Sequence, residues 1–226
     1  MRDRRSNARF LARLESRIDA VVRGEPRAVL AFSAGLGSIV VAAIARKRLD
    51  LTCSVVGIGR APDRVAADRC ASFMDYPIRR IQLRPEEAVR IGREIVRRTP
   101  RLDAAEVWSL VPTAAVREQN PTALVLGGHG TARISRAVSE SLTAYGVKTP
   151  LRASQTSTLP ARSTLSACAT LLGLPPAFGR PARRPAASGS GVADAVLRVA
   201  ASQGIRTSDL LQSRHYHEGT RARADR

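Results

Sequence analysis

Six small or apolar residues, Ser33-Ala34-Gly35-Leu36-Gly37-Ser38, stand between two apolar runs. Ala28 to Phe32 has the length of a buried strand, and Ile39 to Ala45, apolar all round, reads as a buried helix. Side chains this small leave backbone N–H groups uncovered, and the hydroxyls of Ser33 and Ser38 add further donors. At a helix start such donors suit an anion, because the helix N-terminus carries a partial positive charge. The chemistry on offer is phosphate binding. A tight structural turn competes with it, since strand–glycine–helix turns are common.

Two more glycine clusters follow apolar runs: Gly57 and Gly59 in "LTCSVVGIG" (51–59), and Gly128 and Gly130 in "TALVLGGHG" (122–130). His129, inside the second cluster, has the chemistry to touch phosphate or move a proton, or it is a structural loop histidine. His215 and His217 stand two apart with no further ligand run, which does not make a metal site. Trp108 reads as core packing. Arg183-Arg184 is either a solvated pair or a phosphate clamp.

The elements that must position these loops alternate. Residues 6–23 space Phe10, Leu11, Leu14, Ile18, Val21 and Val22 as one helical face, and Gly24 and Pro26 end it. After the 28–45 unit come a strand at 51–59, a helix from Pro62 to Met74 and a strand at 78–83. Helices at 85–98 and about 103–118 lead to a strand at 122–128. Strands alternating with helices predict an α/β fold, a doubly wound parallel sheet with helices on both faces. Ligands of such sheets bind beyond the carboxyl ends of the strands, where the glycines are. Past Ala144 a polar loop (146–160), a helix at 161–172, a basic loop (180–191) and a helix at 191–201 follow. The chain divides into an N-terminal helix (1–25), one α/β domain (26–203) and a basic tail (204–226), frayed from about 213.

Composition sets outer bounds. With 226 residues that are 44% hydrophobic but only 4% aromatic, the core is aliphatic. No run approaches the ~20 apolar residues of a membrane span. Cys53, Cys70 and Cys168 are far apart and odd in number, which points to small buried hydrophobes and a reducing cytoplasm. A net charge of +18 suggests polyanionic partners, with weak nucleic-acid binding among them. Nearly all of that charge is arginine, scattered along the chain as a general compositional bias would scatter it.

The strand, loop and helix around residues 33–38 resemble the PP-loop of ATP pyrophosphatases, whose pattern is S-G-G-x-D-S. Added to "VVGIG", "LVLGGHGTARIS" and "LLGLPPAFGRPARRPAASGSGV", they resemble the synthetase domain of the asparagine synthetase family over about residues 27–200. The resemblance implies an adenine-nucleotide-hydrolase-like fold and ATP as cofactor. It also implies phosphate held by Ser33, Ala34, Gly35, Gly37 and Ser38, adenosine near Gly57 to Gly59, and further nucleotide contacts from Gly128 and Gly130. Arg133, a departure from the family pattern, is expected to neutralise phosphate directly with its forked donors. A chain starting Met-Arg-Asp lacks the position-2 cysteine of the family's glutaminase half, so no glutaminase domain is expected in it.

The chain departs from the family pattern where acids should be. Gly37 replaces the PP-loop aspartate, and Ala132 and Arg133 replace an Asp-Glu pair. Those acids help hold Mg²⁺ on the ATP phosphates in the family, so a role for Mg²⁺ is doubtful here and no metal site is expected. Three functions stay open: ATP-dependent amide formation on a small carboxylate, a nucleotide-binding module that has lost its chemistry, and, further back, tRNA modification.

Overall fold

The computed structural model describes residues 2–74, 77–129, 134–151, 161–179 and 186–212. Among them, five parallel strands form one sheet: β1 (Arg27–Ala31), β2 (Asp50–Gly57), β3 (Ile78–Gln82), β4 (Leu124–Gly127) and β5 (Val147–Lys148). Their spatial order is β3-β2-β1-β4-β5. Strands covered on both faces need apolar residues at successive positions, and β1 and β2 have them. Ala28, Leu30, Cys53 and Val55 point into one core; Val29, Val56, Val125 and Val147 point into the other.

Helices fill both layers. The first core is closed by α1 (Arg2–Val22), α2 (Leu36–Ala45), α3 (Pro62–Met74) and α7 (Arg162–Leu171). The second is closed by α4 (Pro85–Arg98), α5 (Ala104–Glu118), α6 (Arg136–Ala144), the one-turn α8 (Ala186–Gly189) and α9 (Val192–Ser202). This is the doubly wound α/β architecture that the alternating pattern predicts. No helix among the described residues is long and apolar enough to cross a membrane.

The amphipathic α1 begins at Arg2, about two turns before Phe10, the first residue of its periodic apolar face, since arginine itself favours helix. Leu14 and Ile18 are fully buried against the domain, each contributing about 1.5–3 kcal/mol of hydrophobic stabilisation. Trp108 is core, as its setting suggests. Its ring lies over Gly92 of α4, where an added Cβ would come within 2.5 Å of it. The chain beyond 204 packs onto the domain as far as 212. Leu210 is fully buried, and its carbonyl accepts a 2.7 Å hydrogen bond from Arg93 Nε. Elements α6, β5 and α8 carry too few apolar residues to show in the pattern.

All three cysteines are free thiols inside the cores. Burial pushes the Cys70 and Cys168 thiols up to about 11. It pushes Cys53 higher still, with Cys70 adding to the effect and Arg46 opposing it. A thiol whose folded pKa is raised stays neutral in the native state while its unfolded counterpart ionises near 9. Stability is therefore fully present below about pH 9 and lost as pH rises toward 11. At about pH 8 a thiol reagent should label the native protein only as fast as it unfolds. Immediate labelling of any thiol would place it outside the cores.

Candidate functional site

The carboxyl ends of β1, β2 and β4 carry the glycine loops, and β1 is where the strand order reverses. Such a switch point opens a crevice between neighbouring loops. At the end of β1, Phe32 N–H donates to the Ser54 carbonyl (2.8 Å), which keeps the chain on the sheet for one more residue. Ala34 then turns it with φ +52°, the one positive φ outside glycine among the described residues. A Cβ there costs about 1–2 kcal/mol, so the surrounding packing holds a strained turn. Gly35, in extended backbone, is the N-cap of α2.

Helix α2 is left uncapped. In α5 the Asp103 carboxylate accepts from Glu106 N–H at 2.8 Å, and in α6 the Ser135 hydroxyl accepts from Val138 N–H at 3.1 Å. No side chain does this for α2, whose first intrahelical bond is Ile39 N–H to the Gly35 carbonyl (3.0 Å). The first-turn N–H groups of Leu36, Gly37 and Ser38 precede that bond and have no acceptor within the helix. The two serines act differently. Ser33 Oγ accepts from Gly35 N–H at 3.3 Å and is half-buried, whereas Ser38 is buried and donates to the Gly35 carbonyl at 2.9 Å. Ser38 braces the loop.

The end of β4 is pressed onto this turn. A Cβ on Gly128 would lie 2.5 Å from the backbone nitrogen of Ser38 and 2.6 Å from its Cα. Only glycine permits that approach. His129 folds back along its own strand, its Nδ1 lying 2.8 Å from where a Cβ on Gly127 would stand. The structure therefore brings Ser33, Ala34, Gly35, Gly37, Ser38 and Gly128 together. Gly130 and Arg133 lie outside the described residues, as do Arg183, Arg184, His215 and His217.

Gly57 and Gly59 sit at the end of β2, where a distant piece of chain joins them. Ile58 N–H donates to the Ser190 carbonyl (2.9 Å), and Gly191, at φ +76°, passes so close that a Cβ would lie 2.7 Å from the Ile58 carbonyl oxygen. Asp63, in the first turn of α3, lays its carboxylate over Gly189, where a Cβ would meet it at 2.3 Å. Ser190 is buried and donates to the Ala186 carbonyl at 2.7 Å. Local sequence pattern does not single out Gly189, Ser190, Gly191 or Asp63 as site residues. The "SGSG" string was the available signal, but its destination needed the fold. Among the described residues no three His, Cys, Asp or Glu side chains are grouped so as to hold a metal ion.

No family model matches the chain, and neither does any curated protein. Solved structures do. NMN synthetase from Francisella tularensis superposes with a TM-score of 0.51 at 14% identity, over 91% of this chain and 84% of that one. A predicted subunit of tRNA methyltransferase from Methanocaldococcus jannaschii gives a TM-score of 0.41 at 13% identity, over 70% and 94%. The first likeness, with the observed strand order, shows the fold alone: a doubly wound α/β fold on a parallel sheet.

Proposed function

We propose that the chain binds ATP at the β1–β4 switch point, with the phosphates on the α2 N-terminus and the adenosine toward the end of β2. One observation carries this reading. Helix α2 starts without a side-chain cap, as α7 and α9 also do, but its start lies at the end of β1 where Gly128 closes on Ser38, so its first-turn donors converge beside two glycine loops. In this reading Ser33 and the N–H groups of Leu36, Gly37 and Ser38 meet phosphate, while Ala34 and Gly35 shape the turn. Gly57 and Gly59 border the adenosine side, with the 189–191 turn as its wall.

The reaction class that follows from the asparagine-synthetase-like motifs is AMP-forming amide synthesis. A carboxylate oxygen attacks the α-phosphorus, pyrophosphate leaves, and an amine displaces AMP from the acyl carbon. The residues fit ATP better than they fit Mg²⁺, because Gly37 offers no carboxylate and no three His, Cys, Asp or Glu side chains are grouped among the described residues. That mismatch favours a second reading, a nucleotide-binding module without turnover.

Substituting Gly35→Glu puts bulk and negative charge into the turn and is expected to lower ATP affinity at least tenfold, about 1.4 kcal/mol, by calorimetry. Unchanged affinity would remove the loop from the site. Pyrophosphate release over a panel of amino acids and small carboxylates separates the two readings. A signal lost in Ser33→Ala selects the ligase; intact binding with no release selects the module.

A further inference from the structure

Arg5, Arg9, Arg13 and Arg17 recur every four residues along α1. With ~1.5 Å of rise per residue they form a ridge carrying one charge about every 6 Å. Arg5, Arg9 and Arg13 are exposed and Arg17 is half-buried. Beside the ridge run Ala8, Ala12, Ser16 and Ala20, all small and exposed. The large apolar residues of the helix, Leu14, Ile18 and Val22, are turned into the core.

A general arginine bias does not account for this ridge. Several surface arginines elsewhere sit beside acids: Arg90 with Glu118, Arg98 with Glu94, Arg136 with Glu140. Exposed arginines in none of these pairs, such as Arg69, Arg79, Arg101 and Arg198, lie on separate segments of the chain and not along one helix face. Among the described residues, none of the four ridge arginines has a carboxylate within ion-pair distance. The Asp19 carboxylate of α1 pairs with Arg48 and not with the ridge. Like charges four apart disfavour a helix. The free protein thus carries a repulsion that a bound polyanion would relieve.

We propose that this outer face of α1 docks the phosphodiester backbone of a nucleic acid, held by charge and not by base sequence. Guanidinium forks match phosphate oxygens, the ridge repeats along a line, and the small residues beside it let the backbone come close. An anionic bilayer would need large apolar side chains on that face, and those of α1 are spent on the core. The proposal is independent of the nucleotide site.

The test is fluorescence anisotropy of a labelled RNA duplex with the full chain, from about 50 to 200 mM salt. Four neutralised phosphates correspond to a log–log slope of about −3.6, a loss of about 150-fold over that range. Replacing Arg5, Arg9, Arg13 and Arg17 by alanine should weaken binding more than tenfold at the lower salt and flatten the slope by about three. Its Tm should hold or rise, because alanine favours helix and the repulsion is gone. A control replacing the exposed Arg69, Arg79, Arg101 and Arg198 removes the same charge. Equal loss in the control, or no binding by the parent chain at low salt, would overturn the proposal. Tighter capture by phosphatidylserine vesicles than by the duplex would assign the face to a membrane and overturn it as well.

Discussion

Gly128→Ala is expected to lower stability by about 1–3 kcal/mol and ATP affinity at least tenfold. The reason is geometric. The new methyl would stand 2.5 Å from Ser38 nitrogen and 2.6 Å from Ser38 Cα, backbone atoms that cannot swing aside. Either α2 moves away from β4 or the end of β4 peels outward. Both widen the crevice and shift the uncapped N–H groups, so stability and binding should fall together. Gly59→Ala is the useful comparison, since a Cβ there meets nothing within 4 Å and its cost comes from φ +59° alone. Thermal unfolding and calorimetry on both variants decide the matter. A Gly128→Ala protein that binds ATP like the parent would place the nucleotide elsewhere.

The second large effect concerns metal. With no carboxylate at position 37, ATP binding should be nearly the same with Mg²⁺ as with chelator. Gly37→Asp would return an acid to the first turn of α2, where helix geometry favours it but the γ- and β-phosphates repel it. That variant should bind ATP about tenfold or more weakly in chelator and regain most of the loss with Mg²⁺. Arg133→Glu should show the same pattern, and it serves if the buried position 37 does not accept the larger side chain. Titration of ATP into parent and variants, each with metal and with chelator, reads the difference. Strict metal dependence in the parent would mean that acids elsewhere in the chain hold the ion, and the account of a metal-poor site would fall.

The sequence by itself determined the layers of this protein and the place of its loops. Apolar runs of strand length ending in glycine marked β1, β2 and β4, because a strand covered on both faces admits little else. The helices α3 and α4 were legible to the residue, each opening on a proline and carrying a periodic apolar face. Short elements were not legible. Helix α6 buries only Val138, Ser141 and Leu142, and β5 is two residues long, so neither imposes a period on the sequence. Their existence depends on what they pack against.

Only the tertiary structure decided how the glycine loops meet. Strand order is not written in local pattern. It follows from which apolar faces bury each other, and that order set β4 beside β1 and pressed Gly128 onto Ser38. The same holds for the turn at 189–191. It lies far along the chain from β2, yet its backbone caps Ile58 because Asp63 and the lack of side chains at Gly189 and Gly191 allow two backbones to touch. Sequence also offered Ser33 and Ser38 as equal partners for an anion. The fold separated them, turning the Ser38 hydroxyl inward to the Gly35 carbonyl and leaving Ser33 half-buried at the mouth of the turn. Residue type sets what a loop can bind, but the direction in which each donor points is a property of the packed chain.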